Sequence, residues 1–346
     1  MTLVLKRPDD WHLHLRDGAA LAAVLPHTVA RFARAIVMPN LSPPVTTTAA
    51  AGAYRERILA ALPRGALFEP LMTLYLTERT DPAEIERARA SGIVHAVKYY
   101  PAGATTNSDS GVTDLAHVYG VLERLEAIDM PLLLHAELAG AQVDPFDRER
   151  LFIERVLGGL TRRFPRLRMV FEHATTREAL DFVRAHPQLA ATLTPQHLLL
   201  NRGALLSGGI RPHLYCLPVL KREADRVALL EAATSGIAQF FLGTDSAPHA
   251  RGAKETACGC AGIYSAHAAL ELYAEAFESV GRLDRLEGFA SHFGADFYRL
   301  PRNQGTVSLA KETWTPPADF PFGVERLVGW RAGELVHWRL VAGTTP

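Results

Sequence analysis

Cysteine is scarce in this chain: three residues in 346, Cys216, Cys258 and Cys260. An odd, sparse set excludes a disulfide framework and suits a reducing compartment. Cys258-Gly-Cys260 lacks the second pair that a four-ligand zinc knuckle needs, so the thiols read as small buried side chains. Charge of one sign is also lacking, since 37 basic residues balance 37 acidic ones. Without a basic stripe or charge block, the chain is not expected to bind nucleic acid or an anionic membrane. No apolar run reaches the roughly 18 residues of a membrane span. The opening Met1-Thr-Leu-Val-Leu-Lys-Arg-Pro is too short and polar for a secretion signal. Low-complexity stretches and an interdomain linker are missing too. These absences together lead us to expect a cytoplasmic protein folded as one domain over 1–346.

What is present is apolar residue in quantity, 48% of the chain, enough for a sizeable core. Short β-prone runs recur at 11–15, 35–39, 68–76, 93–98, 131–135, 168–173, 189–194 and 239–245. Each is followed by a helix-compatible stretch. Segment 81–90 opens Asp-Pro, an N-cap with proline at the first helical position, and 112–128 and 176–185 look similar. The strand runs are nearly all apolar, as when both sheet faces are covered. Eight strands alternating with helices predict an α/β fold, a (β/α)8 barrel. The segment from about 301 is rich in Trp, Pro and Gly and reads as a C-terminal extension packed on the barrel.

Polar residues sit oddly at the ends of these strands. His12 and His14 lie two apart in the first, so strand alternation puts them on one face, with Arg16 in step. Lys98 ends the fourth strand, His135 the fifth, His173 the sixth and Asp245 the eighth. In a barrel these ends converge on one mouth, where active sites sit. Taken singly, each residue has an ordinary reading: a hydrogen-bonded histidine, a solvated lysine, a helix-capping aspartate. A shared phase at successive strand ends is what those readings do not explain. His95, three residues before Lys98, falls on the opposite face, while His27, His117, His186, His267 and His337 sit in helical or tail contexts.

Neutral imidazoles with a carboxylate suit Zn²⁺ or a similar borderline ion. Four histidines and an aspartate exceed what one tetrahedral ion takes, which points to two ions, roughly 3.5–4 Å apart, sharing a bridging ligand. A free ammonium has donors only, so Lys98 joins such a site only if its amine carries a carboxylate made from CO₂.

These residues resemble the amidohydrolase superfamily, and within it the short bacterial dihydroorotase family. The resemblance rests on Asp10-Trp-His-Leu-His-Leu-Arg-Asp17, Met38-Pro-Asn40, Lys98-Tyr-Tyr-Pro-Ala-Gly-Ala-Thr-Thr-Asn107, Leu134-His-Ala-Glu137 and Phe171-Glu-His-Ala174. It continues through Thr194-Pro-Gln-His197, Arg211-Pro-His-Leu-Tyr-Cys-Leu-Pro218, Gly243-Thr-Asp-Ser-Ala-Pro-His249 and Lys254-Glu-Thr-Ala-Cys-Gly-Cys-Ala-Gly262, covering nearly the whole barrel. It implies two Zn²⁺ per subunit, one held by His12, His14 and Asp245, the other by His135 and His173, with carboxylated Lys98 bridging. It implies Arg16, Asn40 and His249 as holders of a substrate carboxylate, His135 beside the substrate, and the backbones of Leu217 and Ala261 against a pyrimidine ring. Thr105 and Thr106 would lie on a lid, to which Gly103, where some relatives carry a polar residue, adds freedom. Asp245 would act as general base and then acid in closing N-carbamoyl-L-aspartate to L-dihydroorotate. A homodimer is implied as well.

Two other readings compete. Hydantoinases, dihydropyrimidinases and allantoinases hydrolyse related cyclic amides, but usually place a β-sandwich segment ahead of the His-x-His strand, where only about ten residues stand here. The second is a barrel that has lost its ligands and serves as a scaffold, whereas every expected ligand is present in this chain.

Overall fold

The computed structural model describes residues 1–341. After an outer strand β1 (Thr2–Lys6), eight parallel strands alternate with helices: β2 (Asp9–Leu13), β3 (Arg34–Val37), β4 (Glu69–Tyr75), β5 (Val94–Tyr99), β6 (Leu132–Leu134), β7 (Met169–Phe171), β8 (Leu189–Leu193) and β9 (Phe240–Leu242). Each pairs with its neighbour in chain order. The two ends meet where Asp245 N–H donates to the His12 carbonyl at 2.9 Å and His14 N–H to the Ser246 carbonyl at 3.2 Å, beside a parallel bridge between Leu13 and Ser246. The eight-stranded barrel expected from the sequence is therefore present, with strands ending one to three residues before the apolar runs do, except β5, which ends one residue later.

Local chemistry accounts for the helices. Asp81 accepts from Ala83 N–H with Pro82 in the first turn, which starts the helix Pro82–Ser91, and Gly92 ends it at φ +68°. Thr176 caps Arg177–Ala185 in the same way, through Ala179 N–H. The expected helix over 112–128 starts later, as a 3₁₀ turn Leu115–Val118 running into Tyr119–Ala127. Val112 instead bridges to Pro101 and closes the base of a loop. Among the described residues, no helix is long and apolar enough to cross a membrane.

The barrel interior below the mouth is a plug with one contribution from each strand: Trp11, Ile36, Leu71, Ala96, Leu133, Val170, Ala190 and Phe241. The helix Phe293–Tyr298 closes it underneath, with Tyr298 stacked on Trp11 at 4.6 Å. Gly294 permits that approach, since a Cβ there would lie 2.0 Å from the Trp11 indole nitrogen. A second, larger cluster fills the space between the strands and the outer helices.

The segment from about 301 packs on the barrel through β10 (Thr306–Ala310), which pairs antiparallel with the whole of β1. A hairpin, β11 (Phe320–Phe322) and β12 (Glu325–Leu327), follows, and β13 (Arg339–Leu340) joins the other edge of β10. Strand β1 has no place in the sequence reading. Two of its five residues are exposed and only one is fully buried, and its partner lies some 300 residues away, so no local pattern announces it.

Candidate metal centre and substrate pocket

The strand plug sets the phase of the mouth. Two residues beyond Ala96 and Leu133 on the same inward face come Lys98 and His135. The other polar groups arrive by different routes. In β2 the register shifts between Asp10 and Leu13, so that Trp11 enters the plug while His12 faces the mouth. In β7 the residue in step with Val170 is Glu172, and His173 turns inward only because its φ is +42°. Asp245 and Arg16 have φ of +45° and +61°. Left-handed backbone at such residues costs on the order of 1–3 kcal/mol and is held only where surrounding structure imposes it.

Two expectations are corrected here. β2 ends at Leu13, so Arg16 does not share a strand face with His12 and His14. It reaches the mouth through its left-handed turn, which Tyr54 secures by donating its hydroxyl to the Arg16 carbonyl at 2.6 Å. The cysteines also differ from expectation. Only Cys216 is buried, whereas Cys258 is exposed and Cys260 is half-buried. They sit on a loop at the rim of the pocket and not in a core. His95 is half-buried away from the cluster, among Arg34, Arg89 and Arg55, as its phase predicts. His267 occupies the buried turn before the helix Ala269–Glu278, not the helix itself.

At the mouth, His12 Nε2 and His14 Nε2 lie 3.3 and 3.1 Å from one oxygen of Asp245. These three offer ligand atoms within 4.8 Å of one another, the spacing of a metal site. The His173 ring lies 5.0 Å from that of His12 and 4.8 Å from that of His135. Lys98 is fully buried and, among the described residues, its Nζ has no hydrogen-bond partner; His14 Nδ1 and His173 Nδ1 are orphaned likewise. Buried polar atoms normally find partners, so a cluster of orphans fits a charged group held between them. Burial pushes the Lys98 amine down to about 8 and His14 down to about 4, and holds His173 well below its usual value. Burial alone would raise the Asp245 carboxyl, but hydrogen bonds from His12 and His14, with charge from His12 and His173, hold it well below the usual range. Burial would lower His12 as well, but the Glu172 carboxylate raises it, so this ring would give up its proton on binding an ion; imidazoles beside an ionised carboxylate are the donor set a divalent ion takes.

Two carboxylates stand behind the imidazoles, and the sequence reading gave neither a role. Glu172 lies 2.8 Å from His12 Nδ1 and accepts from the Thr192 hydroxyl at 2.5 Å. Glu137 lies 2.9 Å from His135 Nε2. Each fixes a ring and leaves its other nitrogen for the centre. Gly243 passes so close to Thr192 and His12 that a Cβ there would lie 2.7 and 3.1 Å from their side chains.

A small cavity opens over the cluster. His12, His14, His135, His173 and Asp245 form its floor, while Arg16, Asn40, Leu217, Ala261, Thr105 and Thr106 line its walls. Tyr100, a residue the sequence reading passed over, also lines it, with a buried hydroxyl that has no partner. Arg16 Nη2 and the Ala261 carbonyl each lie 3.0 Å from His249 Nε2. Burial, with Arg16 adjacent, pushes His249 down to about 2, so the ring is neutral and the guanidinium is the positive charge of this wall. Asn40 donates to the Thr106 carbonyl at 3.2 Å, and Asn107 donates back to the Asn40 carbonyl at 3.0 Å, so the 103–108 loop lies across the pocket. Roomier clefts beside Tyr119 and around Thr77 hold no comparable cluster.

Residues 9–313 match the family model described as "Amidohydrolase family". A dihydroorotase from Laribacter hongkongensis is 64% identical over 341 residues, covering 98% of this chain and 99% of its own. The crystal structure of dihydroorotase from Campylobacter jejuni superposes with a TM-score of 0.90 at 34% identity, over 98% of this chain and 97% of that one. Dihydroorotase from Saccharomyces cerevisiae, solved in complex with 5-fluoroorotic acid, gives a TM-score of 0.92 at 30% identity over 100% and 99% of the two chains. With relatives this similar along nearly their full length, and with a matched segment that runs through every strand of the barrel, the chain belongs to the amidohydrolase family and, within it, to the dihydroorotases, hydrolases of carbon–nitrogen bonds in cyclic amides.

Proposed function

We propose that this pocket closes N-carbamoyl-L-aspartate to L-dihydroorotate, releasing water, and runs the reverse hydrolysis, in de novo pyrimidine (UMP) synthesis. The observation that carries the reading is the convergence of His12, His14 and Asp245 beside a buried, unpartnered Lys98 amine, with the Arg16 guanidinium across the cavity.

His12, His14 and Asp245 would hold one Zn²⁺, His135 and His173 a second, and Lys98 would bridge them as its N6-carboxylate. That modification forms when the neutral amine attacks CO₂ and loses a proton, which makes one C–N bond and leaves a carboxylate in place of the ammonium. When bound, the two ions supply Lewis acidity toward the ring carbonyl and lower the pKa of the attacking water.

The chain's own groups do the rest. Arg16, Asn40 and His249 hold the substrate carboxylate, with charge-assisted hydrogen bonds from the guanidinium. Backbone groups of Leu217 and Ala261 meet the amide edge of the ring, beside His135. In hydrolysis an Asp245 carboxylate oxygen takes the proton of the attacking water and delivers it to the leaving ring nitrogen; in cyclisation it removes the same proton. Thr105 and Thr106 cover the substrate and exclude bulk water.

The alternative, another cyclic-amide hydrolase such as a hydantoinase, dihydropyrimidinase or allantoinase, is less well supported. The first two do not call for an anion wall such as Arg16, Asn40 and His249 form. The same reading takes the chain as a single domain, active as a homodimer in the cytoplasm; its three free cysteines support a reducing compartment.

The test follows ultraviolet absorbance of the dihydropyrimidine ring during incubation of zinc-loaded protein with dihydroorotate in bicarbonate buffer. Wild type should consume the ring, and Lys98→Ala and Asp245→Ala should not. No turnover by wild type with two metals bound would overturn the reading.

A further inference from the structure

Lys254 is a buried lysine with no carboxylate partner among the described residues. It is 3% exposed and ends the short helix Arg251–Lys254. Its Nζ donates to three backbone carbonyls, those of Tyr215 at 2.8 Å, Cys260 at 2.7 Å and Gly262 at 2.7 Å. An ammonium has three donors, and all three are used. Two of the acceptors flank Ala261, and the third lies two residues before Leu217. The lysine thus ties together the two backbone segments that bring Leu217 and Ala261 to the pocket.

Peptide geometry gives this tie a direction. The Cys260–Ala261 peptide is trans, so its C=O and N–H point opposite ways. Drawing the Cys260 carbonyl onto Lys254 aims the Ala261 N–H away from the lysine. Among the described residues, no group accepts from that N–H. In the next peptide, Gly262 N–H donates to the Tyr215 carbonyl at 3.0 Å. Its C=O partner, the Ala261 carbonyl, therefore faces the other way, where His249 Nε2 lies at 3.0 Å and the Thr106 hydroxyl at 3.5 Å. Ala261 thus turns its N–H away from the lysine because the Cys260 carbonyl is drawn onto Lys254, and its carbonyl toward the anion wall and lid because Gly262 N–H is bonded to Tyr215, whose carbonyl Lys254 also holds.

We infer that Lys254 is a positioning residue for substrate binding: its ammonium sets the orientation in which Ala261 presents its N–H to the ring. The inference rests on the proposed placement of the ring against Ala261 and Leu217. Lys254 itself touches neither substrate nor the metal ligands. Its removal frees the 260–262 segment to rotate its peptides, and the loss falls on binding and not on the chemical step.

The experiment compares wild type, Lys254→Met and Lys254→Gln, each zinc-loaded, for KM, kcat, metal content and melting temperature with dihydroorotate. Methionine keeps the length of the stem and removes every donor; glutamine can still serve part of the carbonyl set. The expected result is a KM raised about tenfold or more in Lys254→Met with kcat within about threefold of wild type, as for an interaction made equally in ground and transition states. Lys254→Gln should fall between them, and metal content should be unchanged. A purely structural lysine would lower the melting temperature and leave KM alone. An unchanged KM in Lys254→Met, or failure of both variants to fold, would overturn the inference while wild-type turnover stands. No turnover by wild type would instead remove the substrate reading, and this inference with it.

Discussion

Glu172 offers the sharpest test of how the site is built. Its carboxylate is fully buried, 2.8 Å from His12 Nδ1, and is held in place by the Thr192 hydroxyl at 2.5 Å. With the carboxylate accepting at Nδ1, His12 carries its proton there and presents a basic Nε2 toward Asp245 and the metal. Glu172→Gln keeps the size of the side chain and an oxygen able to accept from Nδ1–H, but removes the negative charge. Because His12 Nδ1 and the Thr192 hydroxyl meet the same oxygen, Oε2, a glutamine oxygen can keep both bonds, while the amide nitrogen takes the place of Oε1, which is buried without a partner, at a stability cost of about 1–3 kcal/mol. What is lost is the electrostatic support of the imidazole, and outer-shell changes of this kind cost about 10–100-fold in metal affinity. That is about 1.4–2.7 kcal/mol. The assay is competition for Zn²⁺ between metal-stripped protein and a chromophoric chelator, run beside thermal unfolding of the zinc-loaded form. The expected result is a weaker zinc affinity in that range with the fold intact. Glu172→Ala should do worse on both counts, because it leaves His12 Nδ1–H buried without an acceptor, a further cost of about 1–3 kcal/mol. Equal zinc affinity in wild type and Glu172→Gln would refute the role given to this carboxylate.

Other consequences can be checked with single substitutions. Arg16→Met removes the one formal positive charge of the anion wall and should raise KM for dihydroorotate by about 10–100-fold, the loss of a hydrogen bond to a charged group, in steady-state assays; an unchanged KM would place the substrate carboxylate elsewhere. Gly243→Ala inserts a Cβ 2.7 Å from Thr192 and 3.1 Å from His12, and overpacking of this kind should lower unfolding free energy by about 1–3 kcal/mol in denaturant titrations. Asp10 is buried, bonded to Thr244 and to His12 N–H, and burial raises its carboxyl to about 7. Its folded-state pKa lies above the unfolded value, so its contribution is fully present below about 4 and is lost as pH rises through about 7. Asp10→Asn cannot ionise, so its unfolding free energy relative to wild type should rise between pH 5 and pH 8 and level off above; a flat difference would show that folded Asp10 is already ionised at pH 5.

The barrel was legible in the sequence because each strand needs both faces apolar once helices cover one and the plug the other. That requirement writes eight apolar runs into the chain at helix-sized spacing. Lys98 and His135 were legible for the same reason, since they continue the inward phase of Ala96 and Leu133. The other site residues needed more than phase. Simple alternation along β7 puts Glu172 inward and His173 outward, yet both face the centre because His173 has a φ of +42°. Arg16 was assigned to a strand face it does not share, because β2 stops at Leu13. Motif resemblance singled these residues out; alternation alone did not place them.

Contacts across the closed barrel depended on tertiary structure alone. Asp245 meets His12 and His14 because the last strand docks on the first, with 232 residues between the Thr244 hydroxyl and the His12 carbonyl it approaches. Glu172 behind His12 and Tyr54 beneath Arg16 act through hydrogen bonds to partners far along the chain, and Lys254 behind Ala261 acts through three bonds to backbone carbonyls; no periodicity encodes such bonds. The sequence determined by itself which residue types would line a barrel mouth, because burial and strand period act locally along the chain. Only the tertiary structure decided which nitrogen of each imidazole faces the centre, which peptides turn their N–H to the pocket, and which side chains hold them there, because those choices are made by atoms brought together only when the barrel closes.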